Sequence, residues 1–141
     1  MYIKSTGLLA CGIVSLSLFV GSAFAAVTPH VSVMNQKQIG GDVTIAEADI
    51  PANGYLAIHA SDVKGAMSDQ TLGYVALTAG DHKSVKVKLT GSLKPGDKLW
   101  ATLHDDNGTK GKFEYGMAGK MNVDQPLKVD GKMIEMPFVL Q

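Results

Sequence analysis

The chain has 141 residues, a formal net charge of zero and 13 basic side chains, all of them lysine. A balanced charge with no concentrated basic face is poorly suited to a phosphate backbone, and Arg, which grips phosphate with two hydrogen bonds, is absent. We therefore expect no nucleic-acid partner.

The first 25 residues have the layout of a secretory signal peptide. Lys4 gives a positive start, Leu8 to Val20 is an apolar run, and Ala23-Phe24-Ala25 is a small-x-small cleavage motif. We expect cleavage after Ala25 and a mature domain, residues 26–141, in the periplasm or the external medium. The apolar run is too short for a stable membrane span, so none is expected in the mature chain.

A lipoprotein signal is the alternative for this leader. Leu8-Leu9-Ala10-Cys11 resembles a lipobox, but most of the apolar run follows Cys11 instead of preceding it. That order favours the cleaved signal peptide. Removal of Cys11, the single cysteine, leaves a mature chain without thiolate metal sites, thiolate catalysis or disulfides.

Beyond the leader, short β-prone runs alternate with turn signals, and no helical period of useful length appears. The cleanest alternation places Val85, Val87 and Leu89 on one face of a strand and lysines on the other. Seven strands are predicted, at Val31–Val33, Val43–Ala46, Tyr55–Ala60, Leu72–Thr78, Ser84–Thr90, Leu99–His104 and Met133–Leu140.

Seven short strands in one domain predict a single antiparallel β-sandwich of the immunoglobulin-like kind. The disulfide of antibody domains is missing, and Trp100 lies on the sixth predicted strand instead of the third. A β-barrel is the main alternative fold.

Residues 105–132 form a long glycine-rich stretch with scattered apolar residues. Connections of this length in a compact domain are usually functional or contain an extra hairpin. Phe113–Tyr115 is a candidate short strand within it, and Asp105–Gly108 favours a turn over a calcium loop because the spacing of a calcium loop is absent. We expect any binding surface at residues 105–125.

An ordered series of motifs runs through the mature chain: Gly54-Tyr55-Leu56-Ala57-Ile58-His59-Ala60, Leu72-Gly73-Tyr74, Leu99 to His104 with Asp106 and Gly108, then Phe113-Glu114. The series resembles an uncharacterised family of secreted prokaryotic β-sandwich domains of unknown function. The resemblance covers residues 28–140. It implies an extracytoplasmic, immunoglobulin-like domain and no particular activity.

His59 and His104 each end a β-prone run. Alternation places each of them on the outer face of its strand, so the pair is expected to converge with Asp106 at one end of the sandwich. The plainer interpretation is that each histidine tethers a loop through a hydrogen bond; a metal site is the second interpretation.

Methionine side chains could supply thioether ligands to such a metal site. Met117 and Met121 lie in the glycine-rich stretch, where core packing does not explain them. Thioether and imidazole ligands favour copper, especially Cu(I), so the candidate metal ligands are His59, His104, Asp106, Met117 and Met121.

Two functions remain open from the sequence. The first is an exported, non-enzymatic module that binds a protein or small ligand through residues 105–125, with no cofactor. The second is a periplasmic copper-type metal-binding protein that uses His59 and His104 with Asp106 or a loop methionine. No nucleophile elbow, phosphate loop or zinc-protease motif is present, so no enzymatic activity is expected.

Overall fold

The structure is a computed structural model that describes residues 25–120 and 122–141. The predicted signal peptide therefore lies outside the described residues, except for Ala25. Nine strands are seen in the described part: β1 His30–Ser32, β2 Asp42–Ile50, β3 Gly54–Ser61, β4 Met67–Leu77, β5 Gly80–Lys88, β6 Lys98–Asp105, β7 Lys128–Val129, β8 Lys132–Met133 and β9 Glu135–Val139.

The strands form two main antiparallel sheets. One has three strands in the order β1-β2-β5, and the other has four in the order β4-β3-β6-β9. The two remaining strands, β7 and β8, pair only with each other in a small hairpin. The predicted immunoglobulin-like antiparallel sandwich is confirmed; the sheets do not close into a barrel.

Alternation along the strands explains the main core. On β3, Leu56 and Ile58 are fully buried and pack with apolar side chains from the facing sheet, such as Ile45 and Val87. Burying a side chain of this size stabilises the fold by roughly 1.5–3 kcal/mol. The sandwich therefore closes over an aliphatic core without disulfides.

The other face of β3 carries Tyr55, Ala57 and His59. In register with β6, Tyr55 lies opposite His104, and Ala57 lies opposite Thr102. Tyr55, Ala57 and Phe113 form a second, smaller buried cluster, against which Tyr115 packs. This outer face of the four-stranded sheet is covered by the segment that follows β6, and the cover positions the candidate site.

Close backbone approach fixes the start of β3 at Gly54. A Cβ atom built on this residue overlaps the carbonyl oxygen of His104 and lies 2.8 Å from Ile50 Cδ1. Only glycine therefore allows β3 and β6 to pair at this position.

The segment after β6 differs from one sequence expectation. Phe113–Tyr115 is not a strand, because its backbone is bonded to a side chain instead of a neighbouring strand: the Glu114 N–H donates to Asp124 Oδ2 at 2.7 Å. The extra hairpin of this region is β7–β8, further along the chain. None of the described segments forms a helix with the length and apolar character that a membrane span requires.

Candidate functional site

Two buried histidines form the centre of the covered face. The Nε2 atoms of His59 and His104 lie 3.0 Å apart, and both residues have no exposed surface. Their rings are stacked, with centroids 5.1 Å apart. The register pair Ala57 and Thr102 lies between the two histidines in the β3–β6 ladder, and the two side chains meet above it.

Hydrogen-bond partners determine where the protons of this pair lie. His104 Nδ1 is 2.7 Å from the carbonyl oxygen of Asp124, which only accepts, so Nδ1 carries the proton and Nε2 of the neutral ring is an acceptor. His59 therefore donates from Nε2. Its Nδ1 then accepts from the Thr71 hydroxyl, 3.4 Å away. All four ring nitrogens are thereby used.

Burial keeps both rings neutral. Desolvation, and after it the neighbouring His104, lowers the pKa of His59 to about 4, against the opposing effects of the Asp69 charge and a hydrogen bond to the Ser68 backbone. Desolvation also lowers the pKa of His104 to about 4, against the opposing effect of its hydrogen bond to Asp124. At neutral pH the pair is uncharged, and its single shared proton lies between the two Nε2 atoms.

Aromatic rings enclose the histidines. Tyr115 meets His104 edge-on with ring centroids 4.7 Å apart, and it also contacts His59 at 5.5 Å. Phe113 packs between His104 and Tyr74, at 5.2 and 4.7 Å. The Tyr115 hydroxyl donates to Asp69 on β4 at 2.7 Å, which fixes this cover to the edge of the sheet.

Asp124 organises the loop that carries these aromatics. Its carboxylate is fully buried and accepts the backbone N–H groups of Asn107, Gly108 and Glu114 at 3.1, 3.3 and 2.7 Å. Its own N–H donates to Asn107 Oδ1 at 2.6 Å. The backbone carbonyl of Asp124 also accepts a hydrogen bond from His104 on β6. Asp124 therefore connects the start of the loop, at Asn107 and Gly108, and its own end of the loop to the sheet.

The Glu114 carboxylate forms further hydrogen bonds and ion pairs within the same loop. Its buried carboxylate accepts the Thr109 N–H at 3.0 Å and lies 3.6 Å from Lys120 Nζ. The Thr109 hydrogen bond is the main cause of the lowered pKa of Glu114, and Lys120 adds to it. The loop is therefore fixed by charge-assisted hydrogen bonds along its length.

An open cleft of about 570 Å³ lies where the loop leaves β6. Its walls come from the start of β3, the end of β4 and the first turn of the loop. The lining residues are Asn53, Gly54, Tyr55, Ala76, Leu77, Thr78, Asp106, Lys110 and Gly111. Tyr55 Oη and Asp106 Oδ1 are both buried there, and burial, followed by the charge of the nearby Asp106 carboxylate, raises the pKa of the phenol to about 12.

A second, more apolar groove of about 250 Å³ runs between β4 and the loop. Tyr74 and Met117 border it and are 50% and 48% exposed, whereas Phe113 beneath them is buried. Cleft and groove both lie on the part of the molecule that the loop 105–125 builds.

Among the predicted metal ligands that the structure describes, His59 and His104 are in direct contact. Asp106 turns to the cleft, where its Oδ2 accepts the Gly111 N–H at 3.0 Å. Met117 lies at the exposed groove, and Met121 lies outside the described residues. Over residues 25–120 and 122–141, no group of three or more His, Cys, Asp or Glu side chains is arranged to hold a metal ion.

Three residues of the site escaped the sequence analysis. Tyr55 shares the alternation face of His59, which was a usable signal for its position but not for the Asp106 carboxylate near its hydroxyl. Asp124 gave no signal, because its partners are far away in the chain. Met67 also gave none: its Sδ accepts a hydrogen bond from Thr102 Oγ1 at 3.0 Å, on the same sheet face as His104.

Comparison with known proteins adds one distant relative. The chain is 28% identical over 114 residues to a protein named cell surface glycoprotein 2 from Haloarcula hispanica; the match covers 81% of this chain and 12% of the relative. The chain thus corresponds to a small part of that protein's length. No solved structure matches the chain.

The model of one family covers most of the sequence. Residues 29–138 match the family described as Domain of unknown function (DUF7282). The matched span includes all nine strands but the last residue of β9, together with the loop, the histidine pair and the cleft. The chain therefore belongs to this family of domains of unknown function.

Proposed function

We propose that the protein is an exported, non-enzymatic β-sandwich module that binds a partner or ligand through the surface built by residues 105–125. The observation that carries this proposal is that the loop is held in one arrangement by the buried Asp124 carboxylate and leaves a cleft and a groove beside it. A surface that is already ordered loses little conformational entropy when it binds.

The chemistry of the groove suits recognition. Tyr74 and Met117 are half-exposed side chains of the kind that is enriched in binding surfaces, and the buried Phe113 supports them from below. The Tyr115 hydrogen bond to Asp69 keeps the loop side of the groove in place. These contacts give the surface a defined shape.

Export is supported by two observations. The leader has the layout of a cleaved signal peptide, with the expected cleavage after Ala25. The relative from Haloarcula hispanica carries the name of a cell surface glycoprotein. We infer that this chain also works outside the cytoplasm, in the periplasm or beyond it.

The state of the histidines supports a non-enzymatic role. A general acid or base needs a ring nitrogen within reach of substrate and a pKa near the working pH. His59 and His104 have no exposed surface, and their pKa values are lowered to about 4. Their hydrogen bonds instead join the loop to the sheet.

The test is to probe glycan and peptide arrays with the labelled protein and its variants. Met117→Lys and Lys110→Met alter the groove and the cleft. Val63→Lys is the matched control, because Val63 is fully exposed in the β3–β4 turn, away from the loop. Signals lost in a loop variant and kept in Val63→Lys support the proposal. Signals that both loop variants leave unchanged contradict it.

A second candidate function, copper binding, is favoured by the geometry of the two Nε2 atoms. Metal-bound histidines usually donate their other ring N–H to a carbonyl, as His104 does to Asp124. A metal would replace the proton between the rings, and His59 would then donate from Nδ1 to Thr71. A thioether suits Cu(I), and we propose as the third ligand Met67 Sδ, which accepts a hydrogen bond from Thr102 Oγ1 on this face.

Thermal unfolding with Cu(I), Cu(II), Zn²⁺ or Ca²⁺ tests this second function, because a ligand that binds only the folded state raises the melting temperature. A rise specific to copper, reduced in Met67→Leu but kept in Met117→Leu, is the expected result. Equal responses of these two variants would exclude Met67 as a ligand. A flat response to every ion would exclude the copper function.

A further inference from the structure

The first turn of the loop contains a sequence motif that plays no part in the proposed function. Asn107-Gly108-Thr109 has the form Asn-x-Ser/Thr, in which x is any residue but proline, and this is the acceptor motif of N-linked glycosylation. The chain has four asparagines, and Asn107 is the one with a hydroxyl side chain two residues further on. The motif makes Asn107 a candidate modification site.

The structure places this motif at the surface. Asn107 and Thr109 are exposed, and they follow β6 in a bend outside any strand. An N-linked saccharide is bulky and hydrophilic, so it needs a surface position of this kind. The crowded position is Gly108 between them, where an added Cβ atom overlaps Val123 Cγ1. The acceptor side chain itself therefore lies where solvent, and an added group, can reach it.

The hydrogen bonds of Asn107 are compatible with glycosylation. Its Oδ1 accepts the Asp124 N–H at 2.6 Å, and its own backbone N–H donates to Asp124 Oδ1 at 3.1 Å. Glycosylation replaces one hydrogen on Nδ2 and leaves both of these groups of Asn107 unchanged. The modified side chain would therefore keep its bonds to Asp124, and the first sugar would start from a fixed point of the loop.

The hydroxyl of Thr109 indicates when the transfer takes place. In the folded loop Thr109 Oγ1 donates to Glu114 Oε1 at 3.3 Å, and the Thr109 N–H donates to Glu114 Oε2 at 3.0 Å. The hydroxyl is the part of the motif that a transferase must recognise, and the fold already uses it. We therefore expect transfer to the unfolded chain, after it has crossed the membrane and before the loop closes.

We propose that Asn107 carries an N-linked saccharide in the exported protein. The donor is a lipid-linked sugar pyrophosphate. Asn107 Nδ2 attacks the anomeric carbon and forms a C–N bond, while the C–O bond to phosphate breaks. The lipid pyrophosphate leaves with the electron pair, and the displaced amide proton passes to a base of the transferase. The proposal rests on the export part of the proposed function, because this motif is modified in secreted proteins. Asp106 and Lys110, which flank the motif, line the cleft, so the saccharide lies beside the proposed binding surface.

The test is mass spectrometry of the native protein purified from the envelope or medium of its own host. Trypsin cleaves after lysine, so the peptide 99–110 contains the whole motif. The expected result is that this peptide carries a saccharide mass, with sugar fragment ions, in the native protein and in Thr109→Ser. The saccharide should be lost in Thr109→Val and in Asn107→Gln. Since transfer precedes folding, a folding defect in Thr109→Val does not by itself remove it.

A new acceptor motif provides the matched control. Lys37→Thr places a hydroxyl residue two positions after the exposed Asn35, so a saccharide on Asn35 in this variant shows that the host modifies this chain. An unmodified Asn107 in the native protein would overturn the proposal, whatever the state of Asn35, and so would a saccharide that persists in Thr109→Val. A mature chain that begins at Ala26 with an unmodified Asn107 would overturn glycosylation and leave export standing.

Discussion

His59 and His104 share a 3.0 Å hydrogen bond between their Nε2 atoms although they are not register partners, since His104 pairs with Tyr55 across the β3–β6 ladder. The rings meet beside the small side chain of Ala57, and the outer ring nitrogen of His104 continues to the backbone of Asp124. A chain of hydrogen bonds therefore runs from Thr71 on β4 through both imidazoles to the loop. It holds the covered face together.

Lowering the pH from 7 to 5 should destabilise the protein through this pair. Both histidines have a pKa near 4 when folded and near 6.5 when unfolded, so the unfolded chain binds more protons in this window. The stabilisation is complete above pH 6.5 and is lost as the pH falls toward 4. We expect a loss of about 2 kcal/mol per imidazole at pH 5, measured by urea unfolding.

A variant separates the histidines from other titrating groups. His104→Gln should reduce the slope of unfolding free energy against pH between 6.5 and 5. The pKa values of Glu47 and Asp97 are lowered, so these carboxylates titrate below that window. Burial raises the pKa values of Asp105 and Glu135, and both groups are still present in the variant. An unchanged slope in His104→Gln would show that the buried pair is not the cause.

Asp124→Asn should cost about 2–4 kcal/mol of stability, because an amide replaces a buried carboxylate that accepts three backbone N–H groups. Asp130→Asn is the matched control. Both residues have a positive φ, 48° and 51°, but Asp130 is exposed. Chemical denaturation compares the two variants, and similar small losses in both would contradict the organising role of Asp124.

Gly54→Ala should destabilise the fold by about 3 kcal/mol or more, since the new methyl group overlaps the carbonyl oxygen of His104 and crowds Ile50. Gly40→Ala serves as the comparison. Its φ of 62° makes alanine strained, but no atom lies within 4 Å of the new Cβ, so a loss of about 1 kcal/mol is expected. Equal melting temperatures for the two variants would contradict the close approach at Gly54.

Local sequence patterns predicted the strands well because alternation is a local property. The runs around Leu56 and Val87 alternate as a half-buried strand requires, and both residues lie in the core. The β7–β8 hairpin was missed as an element although Asp130-Gly131 is a strong hairpin signal. Its strands are two residues each, too short to show a period.

The burial of the histidines was beyond the sequence analysis. Alternation placed His59 and His104 on the outer face correctly, but that face is covered by Phe113 and Tyr115 from a segment with no strand partner. The cover depends on Asp124, whose contacts with Asn107 and Gly108 span 17 and 16 residues. No local pattern reports contacts of that kind, and the same holds for the position of Asp106 in the wall of the cleft.

Amide hydrogen exchange on the loop tests the central claim, a preformed binding surface, most directly. The N–H groups of Asn107, Gly108 and Glu114 donate to the buried Asp124 carboxylate. We predict that they exchange as slowly as the Leu103 amide in β6, which donates to Ile134. Exchange of these three amides at the rate of an unstructured peptide, with β6 still protected, would contradict the account.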